Sequence, residues 1–406
     1  MRIVVTHMGL RLYWVPRLTE LARAFARNGG KLIGVEVSGK GTTYDFSPER
    51  SGSDNGLQWV RLFREDMRAL SSAAISAALL AKLEELRPDV VFAGAIAFVA
   101  GATAVRWCRQ RRRPVIIMDN ARFEDVPRSR LTNYIKRRVY RNVDAVLIPA
   151  PSHARSFVAW GIPENRIFYG VNVVDNEWFA RQAAAARADR AAVRPRLRLP
   201  EHFFLGVGRQ IQKKNWPGLV SAYTAYRRRR PEDAWDLVLV GDGPQRPRLE
   251  QLVKAEGAAG VHFLPFLGQE DVAACYALAK ALVLPSLGET WGNVVNEAMA
   301  CGLPVLVSNR CGCAEELVRD GRNGWSFSPD KPGELSQLLH RMTDLADAAL
   351  DRMGQQSRAI ISQWPLRRFA EEACAAIRAC KDSRRGFYSA GDRALLQLWK
   401  GRFRPT

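Results

Sequence analysis

Acid is scarce beside base in this chain: 41 Asp and Glu against 61 Lys and Arg leave a formal net charge of +20 at pH 7. An excess of that size makes a field for an anionic partner, whether membrane lipid, nucleic acid or a phosphorylated substrate, and charge alone does not choose among them. Cysteine is thinly spread. Seven are scattered with no C-x-x-C pair, and Cys311-Gly312-Cys313 has a spacing that suits no usual zinc site. The odd count argues against a disulfide framework, so buried reduced thiols are expected. The five histidines are far apart, with no H-x-x-x-H pair, and no D-x-D motif offers a clamp for Mg²⁺ and diphosphate. No metal site and no cofactor are therefore expected. No run reaches the ~20 apolar residues of a membrane-spanning helix. The longest uncharged stretch of note, Val90 to Val105, is shorter and is interrupted by Gly94 and Gly101. The start, MRIVVTHMGL, runs straight into a strand pattern rather than a signal peptide, which gives the expectation of a cytoplasmic protein. Low-complexity tracts are absent too, and with 47% hydrophobic residues the chain can bury a sizeable core.

What is present is alternation. The 406 residues suffice for two domains of ordinary size. Through residues 1–175 short apolar runs (Met1–Thr6, Leu32–Val37, Asp89–Ala93, Pro114–Met118, Asn142–Ile148) take turns with helical patterns (Leu18–Phe25, residues 71–87, Phe98–Arg109). Strands alternating with helices predict a parallel sheet covered on both faces. Residues 180–198 change character, being rich in Ala and Arg with almost no large apolar residues before Leu197, and read as a solvated linker or exposed helix, which places the linker at residues 176–200. Residues 201–380 resume the alternation as a second domain, and residues 381–406 form a basic tail. That tail reads as a terminal helix packing back on the first domain, in preference to a membrane-surface anchor.

One stretch, residues 281–307, carries the most chemistry. A short strand (Ala281–Leu284) enters a turn with Pro285, Ser286, Gly288 and Glu289. A helical pattern starts near Asn293, is stopped by Gly302 and Pro304, and leads into another buried strand. Glu289 and Glu297 flank the start of this helix. A helix N-terminus favours a phosphate, and a carboxylate beside it can accept two hydrogen bonds from a ribose diol. The residues alone are equally compatible with a glycine turn carrying two incidental glutamates.

Glu289-x7-Glu297 followed by Ala298-Met299-Ala300-Cys301-Gly302-Leu303-Pro304-Val305 resembles the signature of retaining GT-B glycosyltransferases, specifically glycosyltransferase family 4. The resemblance implies two Rossmann-like domains with an active site in the cleft between them. It implies a nucleotide-sugar donor, a UDP- or GDP-sugar, as co-substrate. Glu289 would meet the donor sugar and Glu297 the ribose hydroxyls. Backbone groups of Thr290, Trp291, Gly292, Asn293 and Val294 would meet the diphosphate. Arg209 and Lys214, after Gly208 at the end of a strand, would stabilise the charge of the leaving nucleoside diphosphate. Without the resemblance they read as a solvated basic loop beside Lys213. Asn215 stands where the family usually has Gly. Phe266 falls near the expected base-binding segment. Front-face substitution, in which the departing phosphate oxygen accepts the acceptor's proton, requires no enzyme nucleophile.

The first domain is expected to supply the acceptor side. His7 and Gly9 follow its first strand, in a loop that the resemblance puts close to the donor phosphate as well as the acceptor; Gly9 is expected on the donor side and His7 on the acceptor side. Asp119 and Asn120 stand where many relatives carry a His, and they fit either an acceptor-activating carboxylate or a capped turn. The acceptor is expected to be a hydroxyl of a lipid-linked or cell-surface glycan intermediate. Residues 128–141 fit a basic helix with Leu131, Tyr134, Ile135 and Val139 in one stripe, which suggests contact with an anionic membrane surface. Arg130, Lys136, Arg137, Arg138 and Arg141 are expected to cover the rest of it. Other readings remain: a different GT-B activity such as sugar-nucleotide epimerisation, or a basic membrane- or nucleic-acid-binding module. No nucleic-acid motif supports the last, and no nucleic acid is expected as partner.

Overall fold

The computed structural model describes residues 1–26, 29–41, 52–54, 57–125 and 127–401. They form two compact units, one of Met1–Val174 together with the chain from Leu366 on, the other of Asp175–Pro365.

The first unit is built on a sheet of strands β1 (Arg2–His7), β2 (Lys31–Lys40), β3 (Gly52–Asp54), β4 (Leu57–Asp66), β5 (Val90–Gly94), β6 (Val115–Met118), β7 (Ala145–Ile148) and β8 (Ile167–Tyr169). Their order is β3-β4-β2-β1-β5-β6-β7-β8, parallel except for the antiparallel β3–β4 edge. β5, β6 and β7 are buried throughout, as their unbroken apolar sequences require for strands covered on both faces. Helix starts and stops follow local chemistry. Ser71 caps the helix Ser72–Leu86 by accepting the Ala74 N–H at 3.1 Å, and Arg87 ends it in a left-handed conformation before Pro88. The sequence reading omits β4, whose charged, half-exposed alternation pairs with β2 near the sheet edge.

The second unit carries β9 (Phe203–Val207), β10 (Asp236–Val240), β11 (Val261–Leu264), β12 (Ala281–Leu284), β13 (Val305–Ser308) and β14 (Gly324–Phe327) in the order β11-β10-β9-β12-β13-β14. All neighbours are parallel. From β9 the chain builds outward on one side through β10 and β11, then returns to β12 on the other. The topological switch point therefore lies between β9 and β12, where an open α/β sheet leaves a crevice at the carboxyl ends of its strands.

Three expectations need correction. Residues 176–200 are not a solvated linker. They fold as the helices Asn176–Ala188 and Arg190–Leu197 within the second unit, burying Phe179, Ala183, Ala186, Val193 and Leu197. Their alanines have little apolar area of their own but allow close helix packing against the helix Gln269–Leu278. The second unit ends at Pro365 rather than at residue 380, because Phe369, Ala370, Ala373 and Ile377 of the helix Leu366–Cys380 are buried in the first unit. There Phe369 meets Trp14 edge-on at 6.4 Å. The chain continues against the same unit, with Leu396 buried and Trp399 Nε1 donating to the Ile96 carbonyl at 2.9 Å; residues 402–406 lie outside the described residues.

The third correction concerns the basic helix, Arg130–Tyr140. Its buried residues are Lys136, Val139 and Tyr140, while Leu131 and Tyr134 are 68% and 55% exposed. The expected apolar stripe is thus split, with Leu131 and Tyr134 outside and Ile135 and Val139 packed into the core, and one expected surface charge is inside. The reason is Trp160: the Lys136 ammonium lies 3.5 Å from the centroid of its ring, a contact that draws a cation inward. Arg138 is likewise engaged, by Asp392 and by the Tyr134 hydroxyl.

Candidate functional site

In the second unit the expected donor residues come from the two loops that flank the switch point. After β9, Gly208 takes a φ of 148°, a backbone conformation that L side chains rarely adopt. Arg209 follows, its carbonyl accepting from Trp216 Nε1 at 3.0 Å. A single 3₁₀ turn, Gln212–Lys214, then brings Lys214 inward, and Asn215 ends it in the left-handed conformation. Asn215 tolerates that conformation better than most residues, which accounts for it at a position where glycine is usual in the resembling family.

After β12 the chain turns through Pro285–Gly288, and the Leu287 N–H donates to the Lys213 carbonyl at 2.8 Å. This bond ties the two loops together. The side chains meet as well: Lys214 Nζ lies 2.6 Å from Glu289 Oε2, and Lys213 Nζ lies 3.8 Å from Oε1. Burial pushes the Glu289 carboxyl up, but Lys214 and Lys213, the Lys214 hydrogen bond and the charge of Arg209 outweigh it and hold the group below the ordinary carboxylate value. Glu289 is therefore ionised at neutral pH inside a cluster of three cations. Its backbone is fixed from the other side, where its N–H bonds the Arg310 carbonyl and its carbonyl accepts from the Gly312 N–H at 2.8 Å.

Thr290 and Trp291 lead to Gly292, whose φ of 112° turns the chain into the helix Asn293–Ala300. As cap residue Gly292 offers no side-chain acceptor to the first turn, so the N–H groups at Asn293 and Val294 belong to a helix N-terminus that suits an anion. Trp291 is not at the surface: it is buried, its Nε1 bonded to Asn296 Oδ1 at 2.9 Å. Glu297, in the next turn, is 5% exposed and accepts from the buried Tyr276 hydroxyl at 2.8 Å. Phe266 is 49% exposed just after β11. Lys213, Tyr276 and Asn296 contact the candidate residues Glu289, Glu297 and Trp291, and sequence reasoning did not put them among the candidates. Lys213 was visible as a neighbouring cation, whereas Tyr276 sits in an apolar helix with no local signal.

The residues expected on the acceptor side belong to the first unit. His7 ends β1, with Nδ1 2.9 Å from the Gly9 carbonyl and its ring 4.9 Å from that of Trp14. Burial, with the nearby positive charge of Arg17, lowers its pKa to about 4, so it is neutral at physiological pH. Asp119 follows β6 and is buried. Its Oδ1 accepts the Ala121 N–H at 2.9 Å, closing the turn that contains Asn120, and its Oδ2 accepts the Tyr140 hydroxyl at 2.7 Å. These contacts are those of a capped turn. Among the described residues, no three His, Cys, Asp or Glu side chains gather into a group able to hold a metal ion.

Two family models match the chain: "Glycosyltransferase Family 4" over residues 17–178 and "Glycosyl transferases group 1" over residues 201–344. A D-inositol 3-phosphate glycosyltransferase of Streptomyces scabiei is 34% identical over 180 residues, which is 42% of this chain and 40% of the relative. The alignment thus spans about two fifths of that relative's length. Among solved structures, a sucrose-phosphate synthase from Thermosynechococcus elongatus superposes with a TM-score of 0.74 at 20% identity, covering 93% of this chain and 98% of the other. HepE of Anabaena, in complex with UDP-glucose, gives 0.69 at 18% identity, covering 93% and 100%. The likeness to both is one of fold, two Rossmann-like domains of GT-B type. With one family model on each unit and the Glu289-x7-Glu297 turn at the switch point of the second, the chain belongs to the group 1 glycosyltransferases of family 4.

Proposed function

We propose that the chain is a retaining, metal-independent glycosyltransferase that moves a sugar from a nucleoside diphosphate to a hydroxyl acceptor. The observation that carries this reading is the contact of Lys214 with Glu289 beside the start of the helix Asn293–Ala300. It sets cations, a helix N-terminus and a sugar-facing carboxylate around one point at the carboxyl ends of β9 and β12. Charge develops on the diphosphate as the glycosidic bond breaks, and groups fixed in advance toward that charge lower the barrier. Arg209 and Lys214 would do there what a metal does elsewhere. The acceptor's proton would pass to the departing phosphate oxygen, which fits a site without a nucleophile–base pair. The UDP-glucose held by HepE supports a UDP-sugar as the first donor to test. The relatives' varied substrates favour no particular acceptor.

The exposed Leu131 and Tyr134, beside the exposed Arg130 and Arg137, favour a lipid-linked acceptor presented at an anionic membrane surface. Among the described residues no helix is long and apolar enough to cross a membrane, so such contact would be peripheral. A thermal-shift screen of UDP, GDP and ADP with their sugars tests the reading. A ligand of the folded state raises the melting point in proportion to ln(1 + [L]/Kd). Hits are then incubated with candidate acceptors, and released diphosphate and product anomer are measured with and without EDTA. No shift with any nucleoside diphosphate would sink the proposal.

A further inference from the structure

We infer that Tyr276 is the positioning residue for Glu297, and that through it the site selects a ribose over a deoxyribose nucleoside diphosphate. This rests on the nucleotide-sugar reading and deepens it.

Tyr276 is fully buried on the helix Gln269–Leu278, and its hydroxyl donates to Glu297 Oε2 at 2.8 Å. A buried phenol needs an acceptor and a buried carboxylate needs donors, so each meets the other's requirement. The pair is braced from behind by the segment that reads as a linker in sequence. Phe179 of the helix Asn176–Ala188 meets the Tyr276 ring edge-on at 6.5 Å. Arg187 of the same helix donates to the Cys301 carbonyl at 2.6 Å, at the end of the helix that bears Glu297. At its other end, the bond between Trp291 Nε1 and Asn296 Oδ1 fixes the turn just before Glu297. Packing thus limits the tyrosine, and the tyrosine limits rotation of the carboxylate.

Two-point recognition of the 2′- and 3′-hydroxyls needs a carboxylate held within a narrow angle. A site built to hydrogen-bond a hydroxyl rejects the analogue that lacks it, because its own polar group is left unpaired. That discrimination depends on the carboxylate being unable to turn away. Without the tyrosine hydroxyl, Glu297 keeps its charge but gains rotational freedom, and the ribose loses its advantage. A residue needed only for folding would change stability without changing this ratio.

The test is calorimetric titration of UDP and 2′-deoxy-UDP into wild type, Tyr276→Phe and Phe179→Leu, with melting points in parallel. The Phe variant keeps the ring that packs on Phe179 and removes only the hydroxyl. Its UDP affinity should fall about tenfold, as for a lost hydrogen bond to a charged group, while 2′-deoxy-UDP affinity changes less than about twofold. Phe179→Leu keeps both partners and loosens the brace, so it should narrow the preference to a smaller degree. An unchanged UDP to 2′-deoxy-UDP ratio in Tyr276→Phe overturns the inference, and so does equal loss of both ligands. If the wild type binds neither these nor the guanine and adenine pairs, the nucleotide-sugar reading itself fails, a result distinct from a wild type that binds while its variant keeps the ratio.

Discussion

Lys214 Nζ and Glu289 Oε2 are 2.6 Å apart, although they stand 75 positions apart in the chain. The pair joins the loop after β9 to the turn after β12, the two strands between which the second sheet reverses its order. It also balances only part of the local charge. Lys213 and Arg209 act on the same carboxylate, so the cluster is left with surplus positive charge where the helix Asn293–Ala300 begins. A diphosphate entering there meets cations whose desolvation has already been offset by Glu289.

Replacing Lys214 with alanine should lower kcat by about 10²–10³, the usual cost of removing one fixed stabiliser of developing charge. Glu289 then loses its nearest cation, and burial raises its pKa. In the wild type the carboxyl is held below its unfolded value, so the stability this supplies is present above the ordinary carboxylate pKa and lost as pH falls through the lower folded value. In the variant the acid limb of kcat/KM should move to higher pH, while the acid loss of stability that this group supplies should shrink, because its folded pKa approaches the unfolded one. Rate profiles between about pH 4 and 7 and urea unfolding between about pH 3 and 6 measure this. Wild-type turnover in the variant would place the cation outside the reaction.

Gly292→Ala should damage both fold and site. Its φ of 112° is one that L side chains rarely adopt, and an added Cβ would stand 3.1 Å from Leu284 Cδ2 and 3.3 Å from Cys313 Sγ. Such backbone strain costs about 1–3 kcal/mol, and relieving it shifts the first turn of the helix meant for the diphosphate. The expected result is a lowered melting point and weaker binding of nucleoside diphosphate. Full affinity at reduced stability would show that the turn does not touch the ligand.

Much of this was legible in the sequence because parallel-sheet strands are short, apolar and bounded by turns. Val90–Gly94, Phe203–Val207 and Ala281–Leu284 could hardly be anything else. The Glu289 turn was legible because its glycines and carboxylates are close in sequence. What was not legible depended on partners far along the chain. The alanines of residues 183–186 look solvated until the helix Gln269–Leu278 lies against them, and Phe369 gives no sign that it belongs with Trp14. Tyr276 and Glu297 are 21 residues apart, and no local spacing announces the bond between them. Lys136 was misplaced for the same reason, since its aromatic partner Trp160 lies on the next helical segment.

The buried Lys136 should leave a mark on stability in alkaline solution. Burial, opposed by Asp119, lowers its pKa to about 8 from an ordinary value of 10.5. Between those values the unfolded chain holds the proton more tightly than the folded one, so stability should rise with pH from about 8 to about 10.5, and the penalty is fully present below. Lys136→Met keeps the packing over Trp160 and should abolish that rise. Urea unfolding at pH 7.5 and 9.5 distinguishes them: wild type should gain on the order of 1–2 kcal/mol and the variant nothing. A rise preserved in the methionine variant would assign it to another group.

The basic helix gives the last prediction, in a form that the packing of its side chains dictates. Lys136 is inside, and Arg138 is held by Asp392 and Tyr134, so neither is a free surface charge. Exposed instead are Arg130, Leu131, Tyr134, Arg137 and Arg141, the last lying 5.4 Å from the ring of the exposed Tyr388. Basic residues near an anionic bilayer each contribute about 1 kcal/mol, an attraction that salt screens. The two apolar side chains, one helical turn apart, would add a salt-resistant part by entering the headgroup layer. Wild type should therefore sediment with vesicles containing phosphatidylglycerol at low salt, bind neutral vesicles weakly, and be largely released at high salt. Arg130→Gln with Arg137→Gln and Arg141→Gln should remove the salt-sensitive part. Leu131→Ser with Tyr134→Ser should remove what salt leaves behind. Nucleotide affinity should be unchanged in both sets, since all five residues lie in the first unit and Glu289 and Glu297 in the second. Wild type remaining in the supernatant with anionic vesicles at low salt would end the membrane proposal and leave the acceptor to be sought among soluble glycans.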